Sequence, residues 1–479
     1  MEKAVDVQAA CADRGSAEFG ATDSGAAADY GLRKGVLSQM ETLAQSVSTM
    51  APTTTPVATI PLVCALAGNG TWLAYVLATG AVLLVGVCIA RYAGYSASPG
   101  SLYKYAAMTL PPWLSAVAAW SLLLAYIATG SSVIGGFYHY ANLLLRDATG
   151  HGTSAALLAI AVSAVPMAIA WRDVKISARL MLWIEALSVT LIVILVVLVL
   201  VRFGRHWDWN QLHLNGVTGS GLRLGLVLAL FSFVGFESAT TLGSEARNPL
   251  KTIPRAVIQS AILSGVIFII CAYAEVLGFR STGQELGASQ APMRVLAGVG
   301  RAPILGLLID IGALVSLFAG TLACITAAAR VLLLMSHKGL AHGALRSTHA
   351  RHETPGRAIL VTGIAALTPV LVLALRGASG LDVYGWLGSL ATYGFIVTYG
   401  LVSFALPRYL RERGGLTPAA EIVSWLAGGA MLLALVGNLY PIPEGPYGKL
   451  PYVYVGYLVA GLIWFLVSGR TKEPTLVEE

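Results

Sequence analysis

The chain is a succession of apolar runs, each about as long as a bilayer core is thick. Crossing that core takes roughly 20 apolar residues in a helix. Such runs fall near 36–66, 71–93, 113–144, 154–171, 178–203, 221–243, 255–279, 303–335, 357–375, 383–406, 420–440 and 453–469. Lipid cannot satisfy the polar groups of exposed loops or open sheet edges. Twelve such runs therefore predict an all-α integral membrane protein. Only 11% of the 479 residues are charged, against about 25% in soluble domains, so a water-facing surface could not be covered.

The charges set an expected topology. With the N-terminus inside, 22 of the 31 Lys and Arg residues fall in inner segments and 9 in outer ones. The positive-inside rule then puts both termini on the cytosolic side of the cell membrane. The outer loop with Arg202, Arg205 and Arg223 runs against this pattern. The net charge of +7 is read as topology rather than as a nucleic-acid surface. Residues 1–30, with six acids and two bases among Ala, Ser and Gly, are expected to be a disordered cytosolic tail. Residues 471–479 are read as a second short tail. The five cysteines fit no metal or disulfide spacing.

The first run contains Met-Ala-Pro-Thr-Thr-Thr-Pro-Val-Ala-Thr-Ile-Pro, residues 50–61. Proline removes a backbone donor and clashes with the preceding turn. A break of this kind survives in a membrane only where protein encloses it, and there the freed backbone groups can bind a solute. Five spans further on lies a second irregular run, Leu228 to Pro249, interrupted by Gly235 and carrying the acid Glu237. Paired broken helices mark carriers built from inverted repeats. An acid at membrane depth is by default a functional group.

Three motifs resemble the amino acid–polyamine–organocation permeases. The first is Phe231-Ser-Phe-Val-Gly-Phe-Glu237, continuing through Glu245-Ala-Arg-Asn-Pro249 to Ile253-Pro-Arg255. The second is Pro99-Gly-Ser-Leu-Tyr-Lys-Tyr105, and the third Ala329-Arg-Val-Leu332 with Gly339-Leu340 and Thr354-Pro355. The resemblance implies a LeuT-like, five-plus-five inverted-repeat core over 31–406, with repeats near 36–203 and 221–406. Two peripheral helices would follow in 418–470. It further implies a solute between helices one and six, with helix-one amides on a carboxylate and helix-six carbonyls on an amine. Phe231 would gate, and Ser232, Phe233 and Val234 would offer carbonyls. Glu237 matches an acid of cation-handling members, or clasps a neighbouring helix.

Helix one departs from the family's Gly-Ser-Gly-like break. Ser48-Thr-Met-Ala-Pro-Thr-Thr-Thr55 stands there, and Pro52 has no N–H to give. Ala51 is at the break. The hydroxyls of Ser48, Thr49, Thr53 and Thr54 either replace the missing amides or bond back to their own helix. Tyr126 reaches the site from helix three or belongs to the core. Glu185 in helix five carries a coupling proton or pairs with Lys175 or Arg179. Ser316 and Thr321 are cation ligands or packing residues. His337, His342, His349 and His352 read as a solvated basic loop. The expected activity is secondary transport of an amino acid or related amine, by proton symport or solute exchange. A membrane sensor that binds solute without net transport is the alternative. No catalytic constellation or GxxxxGK[ST] motor appears, and neither cofactor nor metal is expected.

Overall fold

The computed structural model describes residues 30–468 apart from 97, 173, 205–207, 350, 441, 443 and 444, and leaves out the side chains of 174–182 and 184. The tails expected over 1–30 (but for Tyr30) and 471–479 lie outside the described residues. Twelve spans are present, and two of them are broken. α1 starts as α1a, Gln39–Met50, then resumes after a gap as α1b, which opens with a π-helical turn, Thr55–Thr59, and continues over Ile60–Ala67. α2 is Thr71–Ala93, α3 Pro112–Thr149, α4 Ala155–Arg172 and α5 Val174–Phe203. α6 splits into α6a, Gly219–Phe231, and a 3₁₀ turn α6b, Ser238–Leu242. α7 is Pro249–Phe279, α8 Pro303–His337, α9 Gly356–Leu375 and α10 Gly380–Glu412. α11, Pro418–Leu439, and α12, Leu450–Ser468, complete the set.

Ten stretches of the described residues are long and apolar enough to cross a membrane. One of them, Gln39–Ala93, holds both α1 and α2, and the shorter apolar helix Gly219–Phe231 is half of α6. This accounts for the twelve expected spans.

The packing repeats with a period of five helices. α1a packs on α5 as α6a packs on α10. α7 meets α1a as α2 meets α6a, and α5 meets α8 as α10 meets α3. α4 meets α8 as α9 meets α3, and α3–α4 is matched by α8–α9. The pairs α2–α7, α3–α8 and α4–α9 map onto themselves. An odd number of spans per repeat reverses the second repeat against the first, so this is an inverted pair. α11 lies outside against α2 and α10, and α12 against α3 and α10. Their free faces are apolar. Leu433 is 74% exposed and Val467 72%, as a lipid boundary requires and a water-facing surface would not tolerate.

The two broken helices are tied together at one end of the bundle. Leu37, before α1a, donates to the Glu245 carbonyl at 2.9 Å and accepts from Arg247 N–H at 2.8 Å. All three family-like motifs converge there. Glu245 and Arg330 form a buried two-pronged ion pair at 2.6 and 2.7 Å. Ser101 hydrogen-bonds Thr240.

Candidate functional site

The gap in α1 follows from local chemistry. α1a opens with a capping box between Ser38 and Glu41, which fixes its start. It closes at Ala51, whose φ of +46° is left-handed. Glycine usually fills that place at a helix end, and here Pro52 blocks any continuation. Thr54 N–H and hydroxyl both turn back to the Ala51 carbonyl, at 2.8 and 2.7 Å. The π-helical turn follows, a form common at functional sites.

α6 breaks against the same place. From Phe231 onward the chain turns by i to i+3 bonds, Val234 N–H to Phe231 and Phe236 N–H to Phe233 carbonyls, both at 3.1 Å. The Phe231 and Phe233 carbonyls are thus already taken. Gly235 has φ +90°, and a Cβ there would lie 2.2 Å from Thr49 Cγ2. Only glycine allows α6 to approach α1a so closely.

Six expected residues, Thr49, Thr54, Tyr126, Phe231, Ser232 and Glu237, make side-chain contacts around the two breaks. Thr49 donates to the Gln45 carbonyl at 2.7 Å and touches the Ser238 hydroxyl at 2.8 Å. Glu237 is fully buried. Tyr126 donates to its Oε1 at 2.7 Å, and Tyr399 of α10 donates to Oε2. Tyr126 is therefore a core residue that also bonds Glu237, and Glu237 does clasp neighbouring helices, α3 and α10. Ser232 bonds the Tyr75 hydroxyl at 3.0 Å. Phe231 stacks edge-on against Tyr384 with ring centres 5.5 Å apart. Tyr384 in turn meets Thr59 at 2.8 Å and Thr54 at 3.4 Å.

The hydroxyls of the first break divide into two groups. Thr49 and Thr54 bond back to their own chain, so for them the back-bonding alternative holds. Ser48, Thr53 and Thr55 are buried and have no hydrogen-bond partner among the described residues. A buried polar atom without a partner is rare and calls for an explanation.

Glu185 sits apart from this group. It accepts from Ser316 on α8 at 2.7 Å, and its second oxygen has no partner among the described residues. Lys175 and Arg179, its expected alternative partners, lie among the side chains left out. Ser316 thus serves Glu185, while Thr321 bonds back to Leu317 at 2.9 Å. Val234 is buried and apolar. Sequence reasoning missed Tyr399, Tyr384, Tyr75, Thr55 and Glu275, a further fully buried acid on α7. Glu275 alone had a readable signal, an acid inside an apolar run.

Comparison with known proteins gives the family. The amino acid permease family matches residues 41–478. This chain belongs to the amino acid permeases. Relatives include the methylthioribose transporter of Bacillus subtilis (strain 168), 26% identical, covering 71% of this chain and 73% of the relative. The branched-chain amino acid permease BcaP of Lactococcus lactis subsp. cremoris (strain MG1363) is 23% identical over 91% of this chain and 95% of its own. Among solved structures, that of MhsT in complex with L-phenylalanine superposes with a TM-score of 0.59 at 16% identity, covering 85% of this chain and 99% of that one. The fold is thus shared with a solved structure. The chain is a multi-pass membrane transport protein.

Proposed function

We propose that this permease is a secondary transporter for an amino acid or an amine derived from one, held between the breaks of α1 and α6. The observation that carries the reading is the set of unpartnered hydroxyls on Ser48, Thr53 and Thr55 in the same break region as the buried acid Glu237. Hydroxyls left without partners are suited to a polar solute, and a carboxylate is suited to an ammonium group. Phe231 against Tyr384 forms the aromatic cover. Ala51, Ser232, Phe233 and Val234 supply the surrounding backbone, with the Phe231 and Phe233 carbonyls freed only if their turns open.

The relatives' names do not choose the solute. They mention branched-chain amino acids, methylthioribose and, for PlaP of Escherichia coli (strain K12), putrescine. Methylthioribose is not an amine, so Glu237 is the feature that favours one here. In the proposed topology the end where Leu37 bonds Glu245 and Arg247 is cytosolic, as are both termini. The core occupies 31–406, and α11 and α12 form a separate flank.

Coupling is proposed to be proton symport or solute exchange, with Glu185 or Glu237 as the carrier. Purified protein in liposomes tests the whole reading. Labelled amino acids and amines are expected to accumulate under an inward pH gradient or to exchange against internal solute. Saturable binding without either would favour a sensor. Accumulation driven by sodium alone would refute the coupling, and binding of only non-amine solutes would refute the substrate class.

A further inference from the structure

Glu275 lies four residues before the end of α7 at Phe279, and the central site makes no use of it. It is fully buried. Neither of its carboxylate oxygens has a hydrogen-bond partner among the described residues, and neither is open to a water-sized space. Four titratable groups lie within its electrostatic reach: Cys64 of α1b, Tyr75 of α2, Tyr140 of α3 and Cys271 of α7 itself. None is a cation. Tyr75 is engaged with Ser232 at 3.0 Å, and Tyr140 donates to the Val57 carbonyl at 2.8 Å. Two basic residues beyond the end of α7 are committed elsewhere. Arg280 pairs with Asp208 at 2.6 Å, and Arg294 is held between Asp147 and Asp310.

A charged carboxylate buried without a partner is among the costliest groups a membrane protein can hold. Some positive charge must therefore accompany it in this closed arrangement. A metal ion needs several converging oxygens, and no group of three or more His, Cys, Asp or Glu side chains that could hold one is found among the described residues; an ammonium group needs space, and both Glu275 oxygens are enclosed. A proton requires no volume. We propose that Glu275 is a proton-binding site whose loading is required for the α1b half of the bundle to close. When that half opens to water, the carboxylate releases its proton to the solution. Closing takes one proton back. Closure is then favoured at low pH and opposed as pH rises, by up to about tenfold in the equilibrium for each pH unit. The site rests on the transport reading only for its consequence, that the side facing α1b, extracellular in the proposed topology, is where pH acts.

Cys64 is a built-in reporter, because it lies on α1b within electrostatic reach of Glu275 and is only partly buried. Cys88, Cys271 and Cys324 are buried, and Cys11→Ser removes the tail thiol. Maleimide labelling of Cys64 is measured in vesicles from about pH 6 to about pH 8 and expressed as the ratio to Glu275→Gln. That ratio cancels the reagent's own pH dependence. It is expected to rise with pH by up to about tenfold per unit, since only the parent must take up a proton to close. Infrared spectra at about pH 7 are expected to show a carboxylic-acid carbonyl band that Glu275→Gln lacks. A ratio flat with pH, or a band unchanged by the substitution, overturns the proposal. Glu275→Met, equally uncharged, supplies the same comparisons where the glutamine variant does not fold. Solute counterflow is followed in the same vesicles. Its absence from the parent would remove the transport reading and leave the proton site standing.

Discussion

The unpartnered hydroxyls predict an unusual pairing of effects, in which one substitution strengthens the resting fold and weakens binding. Thr53→Val replaces a buried hydroxyl that has no partner by a methyl group of similar volume. An unsatisfied buried donor costs about 1–3 kcal/mol, so removing it is expected to stabilise the solute-free protein by about 1 kcal/mol. Thr49→Val, four residues earlier at the end of α1a, is the control. Its hydroxyl bonds the Gln45 carbonyl at 2.7 Å and Ser238 at 2.8 Å, and losing both is expected to cost about 1–2 kcal/mol. If Thr53 serves the solute, its loss removes one hydrogen bond from the complex. That is about 0.5–1.5 kcal/mol, or roughly two- to twelvefold in affinity. Denaturation of the purified protein without solute gives the first quantity, and a binding isotherm gives the second. The reasoning fails if Thr53→Val destabilises the empty protein as much as Thr49→Val does. It fails equally if affinity is unchanged for every solute that binds.

Three further outcomes follow from the buried charges. Glu237→Gln keeps an acceptor for one of Tyr126 and Tyr399 but removes the charge, so affinity for an amine-bearing solute should fall by about tenfold or more, measured by direct binding. Glu185→Gln keeps an oxygen for Ser316 and is expected to abolish pH-driven accumulation while leaving solute exchange intact, as read in liposomes. Arg330→Gln strands Glu245, 0% exposed at its side chain, and should cost about 3–5 kcal/mol. Replacing both partners by Leu and Met is expected to recover most of that loss in a melting experiment.

The parts legible in the sequence were those in which a residue type alone forces the backbone. Pro52 cannot continue a helix, so the first break was readable without knowing what surrounds it. Gly235 and Glu237 stood out for the same reason, as a flexible point and a charge inside an apolar run. What was not legible depends on side chains that meet only after folding. Ser48, Thr49, Thr53 and Thr54 look alike in sequence. Thr49 is engaged because Ser238 of α6b arrives beside it, and Thr53 is left free because nothing does. Tyr399 is 162 residues from the acid it serves, and nothing in its own surroundings marks it among the 19 tyrosines of the chain. Glu275 carried the same local signal as Glu237 without an adjoining motif to draw attention to it.

That division explains how one contact can both build the proposed site and close it. Gly235 lets α6 reach Thr49 of α1a, and this approach places Ser238 on Thr49 and Glu237 between Tyr126 and Tyr399. The same approach packs the break so tightly that the oxygens of Ser48, Thr53 and Thr55 are closed to water. In the proposed reading a solute can reach them only if α1 moves away from α6 and α10, and that movement breaks the contacts of Thr49 with Ser238 and of Thr54 and Thr59 with Tyr384. Those contacts are few and local, whereas the Arg330–Glu245 pair and the backbone bonds of Leu37 to Glu245 and Arg247 hold the other ends of the same helices. The bundle is therefore expected to open first on the α1b side, where Phe231 and Tyr384 are held by packing and by hydroxyl bonds to Thr54 and Thr59, rather than on the side fastened by a buried ion pair.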